Sequence, residues 1–184
     1  MVRGERVVLR ALEQTDLEVL HRWINDAEVI HALAMAFPKS LLDEQRWLER
    51  EQDPKRDLVL GIQTIEGELI GTCGLHRIDP INHNAALGIM IGDKARWSQG
   101  YGTDAMVTLC LFGFSEMNLH RLCLHVYDFH PRAVACYEKV GFVHEGRYRE
   151  AAYKHGAYHD ILEMGLLRDE FRAKWPQRWP TAGA

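Results

Sequence analysis

No apolar run in this 184-residue chain approaches the roughly 20 residues that a membrane-spanning helix needs. The N-terminal Met1-Val2-Arg3-Gly4-Glu5-Arg6 alternates charged and apolar residues. It has no apolar h-region, so no secretory signal is expected. Positive charge is not in excess: 26 Asp and Glu face 22 Lys and Arg, for a formal net charge of −4. A sequence-independent nucleic-acid binder would need a basic face, so that class is not expected. The cysteines Cys73, Cys110, Cys123 and Cys136 are scattered through apolar segments and form no CxxC pair. They read as free thiols of a cytoplasmic protein. The 10 histidines show no HExxH or comparable spacing, so no metal site is expected. No GxxxxGK[ST] motif occurs, which removes the P-loop nucleotidases. Repeats, low-complexity tracts and linkers are also missing. The length suits one compact domain over 1–184, with Trp175–Ala184 expected as a fraying tail.

Periodicity gives a mixed order of elements. Glu5 to Ala11 alternates around Val7 and Leu9 and reads as a strand. Thr15-Asp16 is an N-cap signal for a helix carrying Leu17, Leu20 and Ile24. Helical stretches follow at about 26–34 and 40–51, the second ended by Pro54. Residues 58–65 and 69–75 are strands joined by Glu66-Gly67, a hairpin signal. Residues 85–91 form a further strand. The apolar stretch 104–117 is a helix with Met106, Leu109, Cys110 and Met117 on one face. A buried strand over 121–126 precedes a helix over 131–140, with Pro131 at its first position and Gly141 just past its end. Two closing strands, 142–152 and 158–167, flank Lys154-His155-Gly156. This order argues for a three-layer α/β/α sandwich on one mixed, mostly antiparallel sheet.

Gln99-Gly100-Tyr101-Gly102-Thr103 opens the most apolar helix. Glycines let backbone N–H groups approach an anion closely, and a helix N-terminus adds a positive dipole, so a pyrophosphate is the natural guest. Gly100-x-Gly102-x-x-Ala105 also matches the dinucleotide fingerprint in form, with Asp128 at about the distance of its ribose-binding acid. Two features oppose that reading. Residues 92–99 separate the first glycine from its strand, and too little chain follows for the repeats of a Rossmann sheet.

Trp97-x-x-Gly100-Tyr101-Gly102-Thr103-Asp104-Ala105 resembles the acetyl-CoA loop of RimJ/RimL-like enzymes in the GNAT N-acetyltransferase superfamily. His130-Pro131-Arg132-Ala133-x-x-x-Tyr137-Glu138-Lys139-x-Gly141-Phe142 is similar to their second motif, and Tyr158-x-Asp160 with Met164 to their last strand. The resemblance spans nearly the whole chain. It departs at Asp104, where the wider superfamily has a small residue, and at His130, where the motif has asparagine. A neutral imidazole also offers one donor and one acceptor, with different reach.

The resemblance implies direct transfer of an acetyl group from acetyl-CoA to a primary amine. The acceptor would be a protein N-terminus or a small-molecule amine such as a polyamine, an aminosugar or an antibiotic. Gln99, Gly100, Tyr101, Gly102 and Thr103 would hold the pyrophosphate. The strand 87–91, through Ile89, Met90 and Ile91, would splay from its neighbour and present backbone groups to the pantetheine arm and the thioester carbonyl. His130, Arg132 and Ala133 would complete the cofactor site. Tyr137 would protonate the departing thiolate. The base stays open among Glu28, His31, His120, His125, Asp128, His130 and an ordered water. Trp23, His31 and Phe37, from the early helices and the loop after them, would wall the acceptor site. Cys136 reads as a small core residue rather than a nucleophile. The relatives imply a homodimer. A non-catalytic acyl-CoA-binding module is the rival class, disfavoured by the retained Tyr137 and complete glycine turn.

Overall fold

The computed structural model describes residues 1–31, 33, 37–49 and 56–180. Eight strands form one sheet in the order β1-β2-β3-β4-β5-β6-β8-β7. They are β1 (Val2–Arg3), β2 (Val7–Arg10), β3 (Leu58–Thr64), β4 (Leu69–Asp79), β5 (Asn84–Ile91), β6 (Arg121–Tyr127), β7 (Val143–Lys154) and β8 (Ala157–Leu167). Every neighbouring pair is antiparallel except β5 and β6. Six helices accompany them among the described residues: α1 (Leu17–Ile24), α2 (Ala27–Ile30), α3 (Leu41–Glu49), α4 (Tyr101–Ser115), α5 (Pro131–Val140) and α6 (Arg168–Lys174). No helix among the described residues is long and apolar enough to cross a membrane.

Side chains alternate across a strand, and here each face has its own core. Ile70, Ile89 and Ile91 pack into the larger cluster with α4 residues such as Ala105, Met106 and Leu109. Their neighbours Leu69 and Met90 point to the other face, where Leu20, Trp23 and Val29 of α1 and α2 collect. The helix α4 is buried over most of its circumference, because strands cover one side and α5 lies beside it.

Three expectations are corrected. The second early helix is only the four-residue α2, part of its expected span lying outside the described residues. Asp26 starts it, accepting from the Glu28 and Val29 N–H groups. The third helix is Leu41–Glu49, and Pro54 also lies outside the described residues. Residues 175–179, expected to fray, are docked, although 181–184 fall outside the described residues. Trp175 and Trp179 pack against the larger core, and the Trp175 indole donates to the Val140 carbonyl at 2.8 Å. Buried aromatic area of this size outweighs the ordering entropy of a short tail.

Candidate active site

The parallel pair β5–β6 is joined over only three residues: Asn84 with Arg121, Ala85 with Leu122, and Ala86 with Cys123. Beyond Ala86 the two strands part. Residues Leu87 to Ile91 remain paired to β4 on their other side, and β6 remains paired to β8 through Tyr127. The sheet therefore splits into a wedge, and a cavity of about 1050 Å³ opens there. That is at the upper end for small-molecule sites, with room for a large co-substrate and a second reactant.

One wall is the start of α4. Gly100 is its N-cap at φ 89°, a left-handed conformation that costs any residue with a Cβ roughly 1–2 kcal/mol. The first bond into the helix runs from the Asp104 N–H to the Gly100 carbonyl at 3.0 Å. The amides of Tyr101, Gly102 and Thr103 precede it and are left pointing outward, as at any helix start. A Cβ on Gly102 would meet only Ile91 Cγ1, at 3.8 Å, so the backbone here can be approached from the cavity. The turn is held from both sides. Arg6 donates to the Gln99 carbonyl at 3.1 Å, and the Trp97 indole donates to the Ile91 carbonyl at 2.8 Å.

The opposite wall is α5. Arg132, Ala133, Cys136, Tyr137 and Lys139 face the cavity, with His130 at the N-cap. Arg132 lies over the Trp97 ring at 4.4 Å, a cation–π contact across the turn. Thr103 Oγ1 and Cys136 Sγ meet at 3.4 Å, which ties the first turn of α4 to the middle of α5. Tyr137 packs into the core with its ring edge-on to Phe142. Its hydroxyl has no hydrogen-bond partner among the described residues and opens to the cavity. Burial pushes the Tyr137 phenol well above its ordinary value, so it stays protonated at any physiological pH. Burial first, then the nearby charges of Arg132 and His31, hold the His130 imidazole below its ordinary value.

Of the expected cofactor residues, Ile89, Met90, Ile91, Gly100, Gly102, Thr103, His130, Arg132 and Ala133 line this one cavity with Tyr137, and so does His31. Four expected residues sit elsewhere. The Gln99 side chain folds back to the Ala95 carbonyl, and Tyr101 packs into the larger core. Trp23 is buried beneath the site, so close to the sheet that a Cβ on Gly92 would fall 2.1 Å from its ring. Phe37 is 77% exposed. Among the base candidates, His120, His125 and Asp128 lie off the cavity, and Glu28 lines it but is bound by Lys94 at 2.5 Å. Sequence reasoning missed His155. It sits at the tip of the β7–β8 hairpin, at φ 52° beside Gly156 at φ 81°, and nothing local marks it as more than a turn residue. Arg96, Cys136 and Lys139 were also missed; for the last two, their helical spacing from Arg132 was the available signal.

Residues 6–143 match the acetyltransferase (GNAT) domain family. The chain belongs to the GNAT family. It is an acetyl-CoA-dependent N-acetyltransferase. A spermidine N(1)-acetyltransferase from Vibrio cholerae is 29% identical over 171 residues, covering 91% of this chain and 96% of that protein. A putative ribosomal N-acetyltransferase from Bacillus subtilis is 29% identical over 184 residues, covering 93% and 96%. The crystal structure of the Vibrio cholerae spermidine N-acetyltransferase with CoA and spermine superposes with a TM-score of 0.85 at 26% identity, over 91% of this chain and 99% of that one.

The site's chemistry fits a coenzyme A thioester. Outward amides and the cations Arg132 and Lys139 suit phosphates, with Arg96 beside them already paired to Glu68. The open edge of β5 suits an amide-bearing arm, and Tyr137 stands across the wedge from it.

Proposed function

We propose that this GNAT enzyme binds acetyl-CoA in the wedge between β5 and β6 and passes the acetyl group directly to a primary amine in a ternary complex. The single observation behind this reading is the shared cavity. Glycine turn, strand edge and Tyr137 hydroxyl line one continuous space. The amides of Tyr101 to Thr103 receive the pyrophosphate, and Arg132, held over Trp97, adds charge there. The edge Ile89-Met90-Ile91 aligns the arm and polarises the thioester carbonyl. His130 and Ala133 lie along the arm. Tyr137 gives its phenolic proton to the departing sulfur, for which its raised pKa keeps the proton in place until needed. The Vibrio cholerae relative's complex with CoA and spermine supports the same use of the fold.

The acceptor we favour is an N-terminal α-amine of a peptide or protein. Glu28 is the one carboxylate among the described residues lining the cavity, and it shares Lys94 with Asp26. A polyamine brings several positive charges that such a wall does not match. An α-ammonium, with a pKa near 7.7–8.0, needs only a weak base. Spermidine is the second reading, supported by the relatives from Vibrio cholerae and Escherichia coli. Thermal shift followed by thiol release tests both levels. Acetyl-CoA should raise the melting temperature and NAD should not. Thiol release should then be faster with N-terminal peptides than with spermidine. An NAD-only shift would overturn the site, and spermidine preference would overturn the acceptor.

A homodimer is part of the reading. Val143, Tyr148, Tyr153 and Tyr158 stand exposed on the β7–β8 hairpin, whose outer strand is a sheet edge. Light scattering giving a 21.2 kDa species at high concentration would remove it.

A further inference from the structure

Across the open wedge, the two halves of the sheet touch again through two imidazoles. His31 follows α2, on the β1–β5 side. His155 tips the β7–β8 hairpin, on the β6–β8 side. Their rings stack at 4.2 Å and 18°, and the His155 Nε2–H donates to the His31 carbonyl at 3.3 Å. Phe129 meets the His31 ring edge-on at 5.5 Å. The His31 ring is therefore fixed by a face contact and an edge contact. Both histidines line the cavity.

We infer that His31 is the general base that takes the proton from the acceptor ammonium, and that His155 positions its ring. The assignment rests on the acetyl transfer proposed above. Four observations select His31. Its ring nitrogens have no hydrogen-bond partner among the described residues, whereas a ring nitrogen of His155 is spent on the His31 carbonyl. Imidazole is the side chain that exchanges protons near neutrality. The His31 ring is exposed as well as cavity-lining, so a proton taken there can be hydrated and released. His130, the other imidazole in the cavity, is half-buried at the positive end of α5 with Arg132 beside it, which disfavours its protonation. Among the described residues, the charged and titratable groups around His31 are Glu28 and Asp26 from the α2 segment, both bound by Lys94, with His130 and Arg132 from α5 and His155 from the hairpin. Lys94 engages both carboxylates, and a carboxylate is a far weaker base than an imidazole, so neither competes for the acceptor's proton.

The protons balance. The acceptor enters as an ammonium with three N–H bonds. One proton goes to His31 and from there to water. The freed lone pair forms the C–N bond as the C–S bond breaks, and the sulfur leaves with the electron pair of that bond. Tyr137 protonates the thiolate. The second nitrogen proton, released as the amide forms, replaces the one Tyr137 gave. The products are amide, thiol and one solvent proton.

The test uses the full chain and whichever amine the wild type acetylates. His31→Gln should lower kcat/KM by roughly 10²–10⁴-fold, the usual loss for a general base. It should also abolish the acidic limb of the pH–rate profile, while acetyl-CoA affinity stays within about threefold of wild type. Added imidazole should restore part of the rate. His155→Phe keeps a ring on the stack and should keep the limb; His155→Ala should lose most of the rate. Without turnover, ¹⁵N NMR should show the His31 ring changing protonation over the pH range in which the rate rises. A ring locked in one state through that range overturns the assignment. So does a His31→Gln enzyme with wild-type rate and an unchanged limb. A wild type that acetylates no amine overturns the transfer reading and the base with it, which separates that failure from failure of His31 alone.

Discussion

Asp104 and Arg178, 74 residues apart, form an ion pair at 3.2 Å directly behind the glycine turn. The same carboxylate accepts three backbone N–H groups of the N-terminal segment, from Glu5 at 3.2 Å, Arg6 at 2.8 Å and Val7 at 3.1 Å. Arg178 also reaches Thr108 Oγ1 and the Glu5 carboxylate. An acid where the wider superfamily has a small residue thus joins both ends of the chain to the start of α4. Asp104→Ala should strand those amides, while Arg178 keeps Glu5 and Thr108 as partners. The expected cost is about 1–3 kcal/mol, as for leaving buried donors unsatisfied. For a chain this size that lowers the melting temperature by on the order of 5 °C. Scanning calorimetry showing a fall of under about 2 °C would refute the latch.

Tyr137→Phe keeps the ring against Phe142 and removes the hydroxyl that opens to the cavity. The expected result is a kcat lower by roughly 10²–10⁴-fold, with acetyl-CoA affinity and melting temperature nearly unchanged. Because burial raises the phenol's pKa, ionisation of Tyr137 should not reduce kcat in wild type below the ordinary phenol value of about 10. A basic limb between about pH 8 and 9.5 that disappears in Tyr137→Phe would contradict this.

Gly102→Val and Gly100→Val should separate binding from folding. A Cβ at Gly102 finds only an ordinary contact with Ile91, and both residues line the cavity. Acetyl-CoA binding by calorimetry should therefore weaken tenfold or more, about 1.4 kcal/mol, while the melting temperature changes little. Gly100, at φ 89°, carries the opposite expectation: lost stability, because a β-branched residue is strained there. Equal effects on stability at the two positions would show the turn to be read wrongly.

Asp16 is gripped by Arg10 through two bonds, at 2.7 and 2.9 Å, and also accepts the Glu13 N–H. The Arg10 guanidinium, more than burial opposes it, holds the Asp16 carboxyl below its ordinary value. A depressed carboxyl stabilises the fold fully above its unfolded value of about 3.9 and loses that contribution as pH falls through the folded value. The destabilisation by Arg10→Met, followed by urea unfolding, should be level from about pH 5.5 to 8 and shrink below about pH 4. A penalty unchanged down to about pH 3 would mean that the pair does not govern acid stability.

Local patterns in the sequence were enough for α5, whose Pro131 start and Gly141 stop are backbone constraints, and for most strands, whose period-2 burial is local. The glycine turn was legible for the same reason: the left-handed residue and the helix start are properties of adjacent residues. The spacing of the motifs and their resemblance to GNAT enzymes pointed to the class of reaction. Only the tertiary structure decided three things. The β5–β6 wedge depends on where a parallel ladder stops, which no single strand records. Docking of Trp175 and Arg178 depends on partners at Val140 and Asp104. The pairing of His31 with His155, at |i−j| = 124, depends on a hairpin tip folding back over the cleft. Backbone preferences act over a few residues, whereas the acceptor side of this site is assembled from packing between segments far apart in the chain.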